Sequence, residues 1–154
     1  MQLDHRFAVP LPPEQAWSAL LDLDLVAGCF PGAQLESVDG DTFEGRVRVK
    51  LGPVSFTYRG QGRFVERDDD GRRVVIEARG RDIRGASTAG AVVTATVSPD
   101  GDGSDVHVVT ELDVTGPPAQ LGGGMLQDVS NRLLDQFVAR LRDQVSGQPA
   151  DGPA

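Results

Sequence analysis

The segment from Gly122 to Val145 constrains the fold more than any other part of the chain. Leu126, Val129, Leu133, Phe137, Leu141 and Val145 recur every three or four residues, with Leu134 and Val138 beside them. At 3.6 residues per turn they form one apolar stripe, while Asp128, Asn131, Asp135, Arg142 and Asp143 fall mostly on the other side. Gly122-Gly123-Gly124 opens the segment, and Gly147 and Pro149 are the expected stop. A helix with so wide an apolar face needs a partner surface. Its stripe either packs on a sheet or also roofs a ligand cavity, and the helix by itself leaves both open.

The rest of the chain supplies the sheet. Leu3, His5, Phe7 and Val9 alternate with polar or small residues, which predicts a half-buried strand closed by Pro10, Pro12 and Pro13. Pro12-Pro13-Glu14 starts a short helix that buries Ala16, Trp17, Leu20 and Leu21. A second short helix is expected over Leu23 to Phe30, broken by Gly28 and ended by Pro31-Gly32. Six strands follow from Leu35, separated by short turns such as Gly52-Pro53 and Asp68-Asp69-Asp70-Gly71. The clearest has Val54, Phe56, Tyr58, Gly60, Gly62 and Phe64 on one parity and Ser55, Thr57, Arg59, Gln61 and Arg63 on the other. One apolar parity per strand and short turns predict an antiparallel sheet with one buried face, covered by the final helix.

The inward parity is rich in small residues: Gly60, Gly62, Ala78, Gly80, Ala91 and Ala95. Inward glycines mark strand curvature, and they also remove side-chain volume. Both effects together enclose space, so an apolar cavity is expected beside the packed core.

Several pieces now resemble a known family: Pro13 with Ala16-Trp17 and Leu20, then Cys29-Phe30-Pro31-Gly32, then Val47-x-Val49-Lys50-Leu51-Gly52-Pro53. With the Gly60-x-Gly62 strand and the glycine-led final helix, they resemble the CoxG family of carbon monoxide dehydrogenase subunits, within the START-like (SRPBCC), birch-allergen-like helix-grip superfamily. The resemblance spans about residues 1–145. It implies an α+β helix-grip fold, with seven antiparallel strands curved around the C-terminal helix and an internal hydrophobic cavity. It also implies an accessory role beside a molybdenum-containing carbon monoxide dehydrogenase, linking that enzyme to the inner face of the cell membrane. Residues 146–154, rich in Gly and Pro, look like the start of the linker that leads many relatives to a hydrophobic anchor, and are expected to form a flexible tail.

Composition narrows the partners. A chain of 154 residues fits one domain, and its net charge of −8 argues against non-specific nucleic-acid binding. Arg46, Arg48 and Lys50 alternate on one strand and leave room for a local basic patch. No apolar run is long enough to span a bilayer, and no signal pattern opens the sequence, so a cytoplasmic protein is expected, which the resemblance would place peripherally at the membrane. The single Cys29 excludes an internal disulfide and a cysteine zinc site. His5 and His107 have opposite parity, the acidic turns lack calcium-loop spacing, and Gly122 to Gly124 lack a phosphate-loop context. No catalytic or metal-ligating residues are therefore assigned.

Two classes of function remain: a carrier of a lipophilic molecule, and a helix-grip enzyme such as a cyclase or hydrolase. An enzyme needs inward ionisable groups, and the inward parity offers little beyond His5, Tyr58 and Thr110, which favours the carrier. A structural assembly factor is a third class that the sequence leaves open. The expected cavity wall is Phe7, Phe56, Tyr58, Phe64, Ile76, Val93, Val108, Leu126, Val129 and Leu133, with Met125 at the mouth. Asp82 to Thr88 and Gly116 to Gly124 are expected to be mobile gates. The implied redox partner makes a respiratory quinone, menaquinone or ubiquinone, the expected ligand, with no covalent cofactor. Tyr58 would hydrogen-bond a quinone carbonyl, and Phe56 and Phe64 would stack on the ring. A fatty acid or phospholipid that serves only as a membrane grip is the alternative.

Overall fold

A computed structural model describes the backbone of residues 1–151, with side chains through residue 146. Strand β1 (Gln2–Val9) leads into helices α1 (Pro13–Leu21) and α2 (Leu23–Cys29). Six strands follow: β2 (Ala33–Asp39), β3 (Thr42–Leu51), β4 (Val54–Asp68), β5 (Arg73–Asp82), β6 (Thr88–Asp100) and β7 (Gly103–Val114). A short 3-10 turn (Pro117–Leu121) leads into the long helix α3 (Gly122–Asp151). The element order and the buried parity of each strand match the alternation read from the sequence.

All neighbouring strands are antiparallel, in the order β1-β7-β6-β5-β4-β3-β2. Because β1 and β2 lie on opposite edges, α1 and α2 must carry the chain across the whole sheet. They do so at the end where β1 finishes, and close it. Pro13 pre-sets the first turn of α1, and the Asp22 carboxylate caps α2 by accepting the Leu25 N–H at 3.2 Å. Gly28 lies inside α2 rather than breaking it.

The core sits at this closed end. Phe137, Val138, Leu141 and Val145 of α3 pack with Phe7, Val9, Trp17, Cys29, Val97 and Val106. Phe137 meets the edge of Phe7 at 6.3 Å between ring centroids and tilts against Phe30 at 6.2 Å. Trp17 is buried, and its N–H donates to Asp69 Oδ1 at 3.0 Å. The acidic β4–β5 turn is therefore docked on α1 instead of standing free in solvent. The Arg67 guanidinium, and then the Trp17 N–H, hold the Asp69 carboxyl below the usual range. Arg142 Nε donates to the Ala8 carbonyl at 3.0 Å and ties α3 to β1.

α3 runs past Gly147 and Pro149, where the sequence predicts a stop. Extending a helix already nucleated over several turns adds far less cost than starting one. Of the expected tail, residues 152–154 lie outside the described residues.

Leu141 is fully buried, whereas Asp143 is exposed. Leu141→Ala is expected to lower unfolding free energy by about 2–5 kcal/mol in urea titration. Asp143→Ala is expected to stay within about 0.5 kcal/mol.

Candidate ligand-binding site

Away from the closed end, the inner face of the sheet changes character. Gly45, Gly60, Gly80 and Ala89 stand in cross-strand register from β3 to β6, and Gly62, Ala78 and Ala91 form the next row. These two rows make a floor almost without side chains. A Cβ at Gly60 would meet the Arg79 carbonyl, and one at Gly45 would lie 2.7 Å from the Gln34 carbonyl, so the strands bend and close up there. Gly62 differs: the Phe43 ring lies where its side chain would be, so the volume expected to be empty at Gly62 is filled.

Aromatic side chains stand on either side of this floor. Phe56 and Tyr58 stack on each other at 6.3 Å, and Phe43 and Phe64 meet edge-on at 6.1 Å. Phe56 and Tyr58 join Leu51, Val49 and, from α3, Val129 and Leu133 in a second apolar cluster. Phe64, Ile76 and Val93 form one cross-strand row, with Val108 and Phe7 in the rows towards the core. The structure therefore gathers the expected lining residues into two groups, one on each side of the floor. Leu126 lies beside a separate hollow at the start of α3, and Met125 is 44% exposed.

Phe56 and Phe64 are eight residues apart, about 26 Å of extended strand. They cannot both stack on one ring, because the alternation that predicts a shared face says nothing about distance along it.

Within and between the groups, inward residues stay partly exposed: Val47, Tyr58, Ala78, Ala91, Val93, Thr110 and Leu112. Two hollows flank the first half of the helix. One of about 210 Å³ lies between Pro31-Gly32, Arg48 and Lys50 on one side and Val129, Arg132, Leu133 and Gln136 on the other. Another, of about 240 Å³, lies among Met1, Leu112, Asp113, Val114, Ala119, Gly122, Gly123 and Leu126.

The polar groups nearby are engaged. Ser87 Oγ donates to the Thr115 carbonyl at 2.6 Å, which uses its one proton, so Tyr58 Oη donates to Ser87 Oγ at 2.8 Å. Tyr58 thus has no proton left for a quinone carbonyl, contrary to the role expected of it. Asp82 is 2% exposed, and its carboxylate accepts the Thr57 and Ala86 N–H groups. The Ile83 N–H bonds the Thr57 carbonyl, and Thr88 and Thr115 pair through backbone and hydroxyl groups. These bonds pin the Asp82–Thr88 segment expected to be a gate. Asp82 continues the inward parity of β5 after Gly80, so the alternation already carried the signal for it. His5 Nε2 bonds Asn131 Oδ1 on α3 at 2.8 Å, while His107 bonds Asp4 on the outer face. Burial pushes the Cys29 thiol up, against a smaller pull from Arg140. No group of three metal-ligating side chains occurs among the described residues.

A curved seven-stranded antiparallel sheet gripping a C-terminal helix, with its mid-sheet inner face only partly covered, defines the START-like helix-grip class. A conserved protein from Geobacillus kaustophilus is similar over 95% of both chains, with TM-score 0.84 and 17% identity. The Zhui aromatase/cyclase from Streptomyces sp. R1128 (TM-score 0.68, 12% identity, 95% and 93% covered) and a START superfamily protein from Mycobacterium smegmatis (TM-score 0.63, 13% identity, 94% and 97% covered) share the fold. No curated protein sequence matches the chain. The family model for CoxG, a carbon monoxide dehydrogenase subunit, matches residues 6–146, and the chain belongs to that family.

The pinned loop makes a direct forecast for hydrogen exchange. The Thr57, Ile83, Gly85 and Ala86 amides should exchange slowly, and Asp82→Ala should speed exchange at Thr57 and Ala86 first, because it strips the buried carboxylate acceptor from those two N–H groups. Fast exchange at these amides in the parent protein would restore the gate.

Proposed function

We propose that the protein is a non-enzymatic carrier that holds a lipophilic molecule between the floor of the sheet and α3, and that this molecule is a respiratory quinone. The observation supporting a carrier is the partly exposed inner face. Apolar side chains that point inward yet remain wet gain about 25 cal/mol per Å² when a ligand covers them. The inner-face groups that an enzyme would use favour the same reading. His5 is committed to Asn131, and both Asp82 oxygens accept backbone N–H groups. The likeness to an aromatase/cyclase concerns the fold alone.

Family membership supports a place beside a carbon monoxide dehydrogenase, and such an oxidase must pass its electrons on. A quinone ring fits the stacked Phe56–Tyr58 pair better than a position between Phe56 and Phe64. Tyr58 then contributes its ring face, and its hydroxyl serves as the anchor to Ser87.

A membrane link has its own support. No helix among the described residues is long and apolar enough to cross a bilayer. One end of the sheet nevertheless carries exposed apolar tips: Val54 at the start of β4, Ile83 after β5, and Leu121 and Met125 around the start of α3. Ile83 is bonded to Thr57, and Arg84 Nη2 to the Ser55 carbonyl, so the first two tips are neighbours. We assign this end to the lipid surface, where a quinone would be collected.

Titration with a short-tailed menaquinone analogue tests the ligand. Saturable binding is expected in the parent, and Ala91→Trp, which fills the floor, should abolish it while unfolding stays cooperative. Saturable binding of fatty acid without any binding of the analogue would remove the quinone and leave a lipid adaptor.

A further inference from the structure

The hollow beside β3 has a chemistry that an uncharged quinone does not use. Its lining contains three cations, Arg48, Lys50 and Arg132, and no carboxylate. In a chain of net charge −8 this is a local reversal of sign. Elsewhere on the sheet Arg46 and Arg59 share Glu36, Arg63 meets Glu77, and Arg73 meets Glu66, while Arg79 and Arg81 of β5, also without an ion pair among the described residues, do not line this hollow with α3. The Arg46 hydrogen bond and then the Arg59 charge hold the Glu36 carboxyl below its usual range. Among the described residues Arg48, Lys50 and Arg132 form no ion pair, although Asp128 and Asp135 sit one turn either side of Arg132.

The backbone keeps this place open. Pairing of β2 with β3 begins at Ala33, opposite Val47, and the Gly32 carbonyl takes the Arg48 N–H at 3.0 Å. Gly32 has φ +79°, and a Cβ there would collide with the Arg48 carbonyl, so only glycine lets the chain turn away so close to β3. Beyond it β3 is a free edge. The N–H of Lys50 points the same way as that of Arg48, with no β2 residue opposite. Arg84 adds a fourth positive charge close by, since it is bonded to Ser55, which stands opposite Lys50. The inner wall is apolar: Val129 and Leu133 of α3 line the hollow and also belong to the cluster with Leu51, Phe56 and Tyr58.

We propose that this hollow seats the anionic head of a lipid, with Arg48, Lys50 and Arg132 around the head and the acyl chain running inward over Val129 and Leu133. The shared chemistry is an oxyanion on an apolar tail, from either a fatty acid or a phospholipid. The attraction weakens with added salt, because the cations are exposed. The inference goes beyond the quinone reading and does not rest on it, since a quinone head carries no charge.

Calorimetric titrations with oleate, oleyl alcohol, oleoyl lysophosphatidic acid and inorganic phosphate test it, all below the micelle concentration. The parent should bind oleate or the lysolipid at least about tenfold more tightly than oleyl alcohol. Lys50→Gln with Arg132→Gln should shrink that preference to about twofold or less, and Lys50→Arg with Arg132→Lys should restore it. Preference for one head over the other identifies the source as free fatty acid or phospholipid. Equal affinity for oleate and oleyl alcohol, or a preference unchanged in the Gln variant, overturns the proposal. Inorganic phosphate that binds as tightly as the lysolipid also overturns it, because the tail would then contribute nothing. The short-tailed menaquinone analogue, titrated into the same variants, should show unchanged affinity, which separates the two ligand readings.

Discussion

Burial of the last turns of the apolar stripe on α3 sets the rest of the architecture. Phe137, Val138, Leu141 and Val145 are all at most 8% exposed. Each contributes on the order of 1.5–3 kcal/mol relative to an exposed side chain. They clamp one half of the helix to β1, β6, β7, α1 and α2. The Arg142–Ala8 and His5–Asn131 bonds fix the helix against β1. The first half is held at fewer points, by Val129 and Leu133 against Leu51, Phe56 and Tyr58 and by the Asn131–His5 bond.

What lies under the first half decides how much of the inner face the helix covers. Rows of Gly and Ala offer the helix nothing to pack on, while aromatic pairs on either side keep it from settling. The inward side chains around these rows stay partly exposed, and a ligand laid over them would take that apolar surface out of water. The polar network of Tyr58, Ser87, Thr115 and Thr88 and the buried Asp82 give one end of the gap a rigid rim. The other side is bounded by the free edge of β3, where the cations gather.

The sequence states most of this in its two periodicities. Strand parity identifies the inner face from Leu3 to Val114, and the stripe on α3 identifies the clamp. Parity does not report register, which is why the Phe43 ring over Gly62 was hidden: the two residues face each other only once β3 and β4 are aligned. Nor does it report distance, so Phe56 and Phe64 read as partners although the floor separates them. Asp82 was legible as the next inward position after Gly80, but its charge suggested a solvated loop; buried backbone N–H groups needing an acceptor outweigh that tendency. The cationic hollow was half legible: the alternation of Arg46, Arg48 and Lys50 marked a basic patch, but Glu36 takes Arg46, and Arg132 joins the other two only when α3 crosses the end of β3.

The central claim is that the gap between sheet and helix is a ligand space. Native mass spectrometry of the protein purified without detergent tests it most directly. The account predicts a non-covalent adduct of lipophilic mass, lost on solvent extraction and regained when lipid is offered back to the stripped protein. A bare polypeptide mass that persists after exposure to quinones, fatty acids and phospholipids would contradict it.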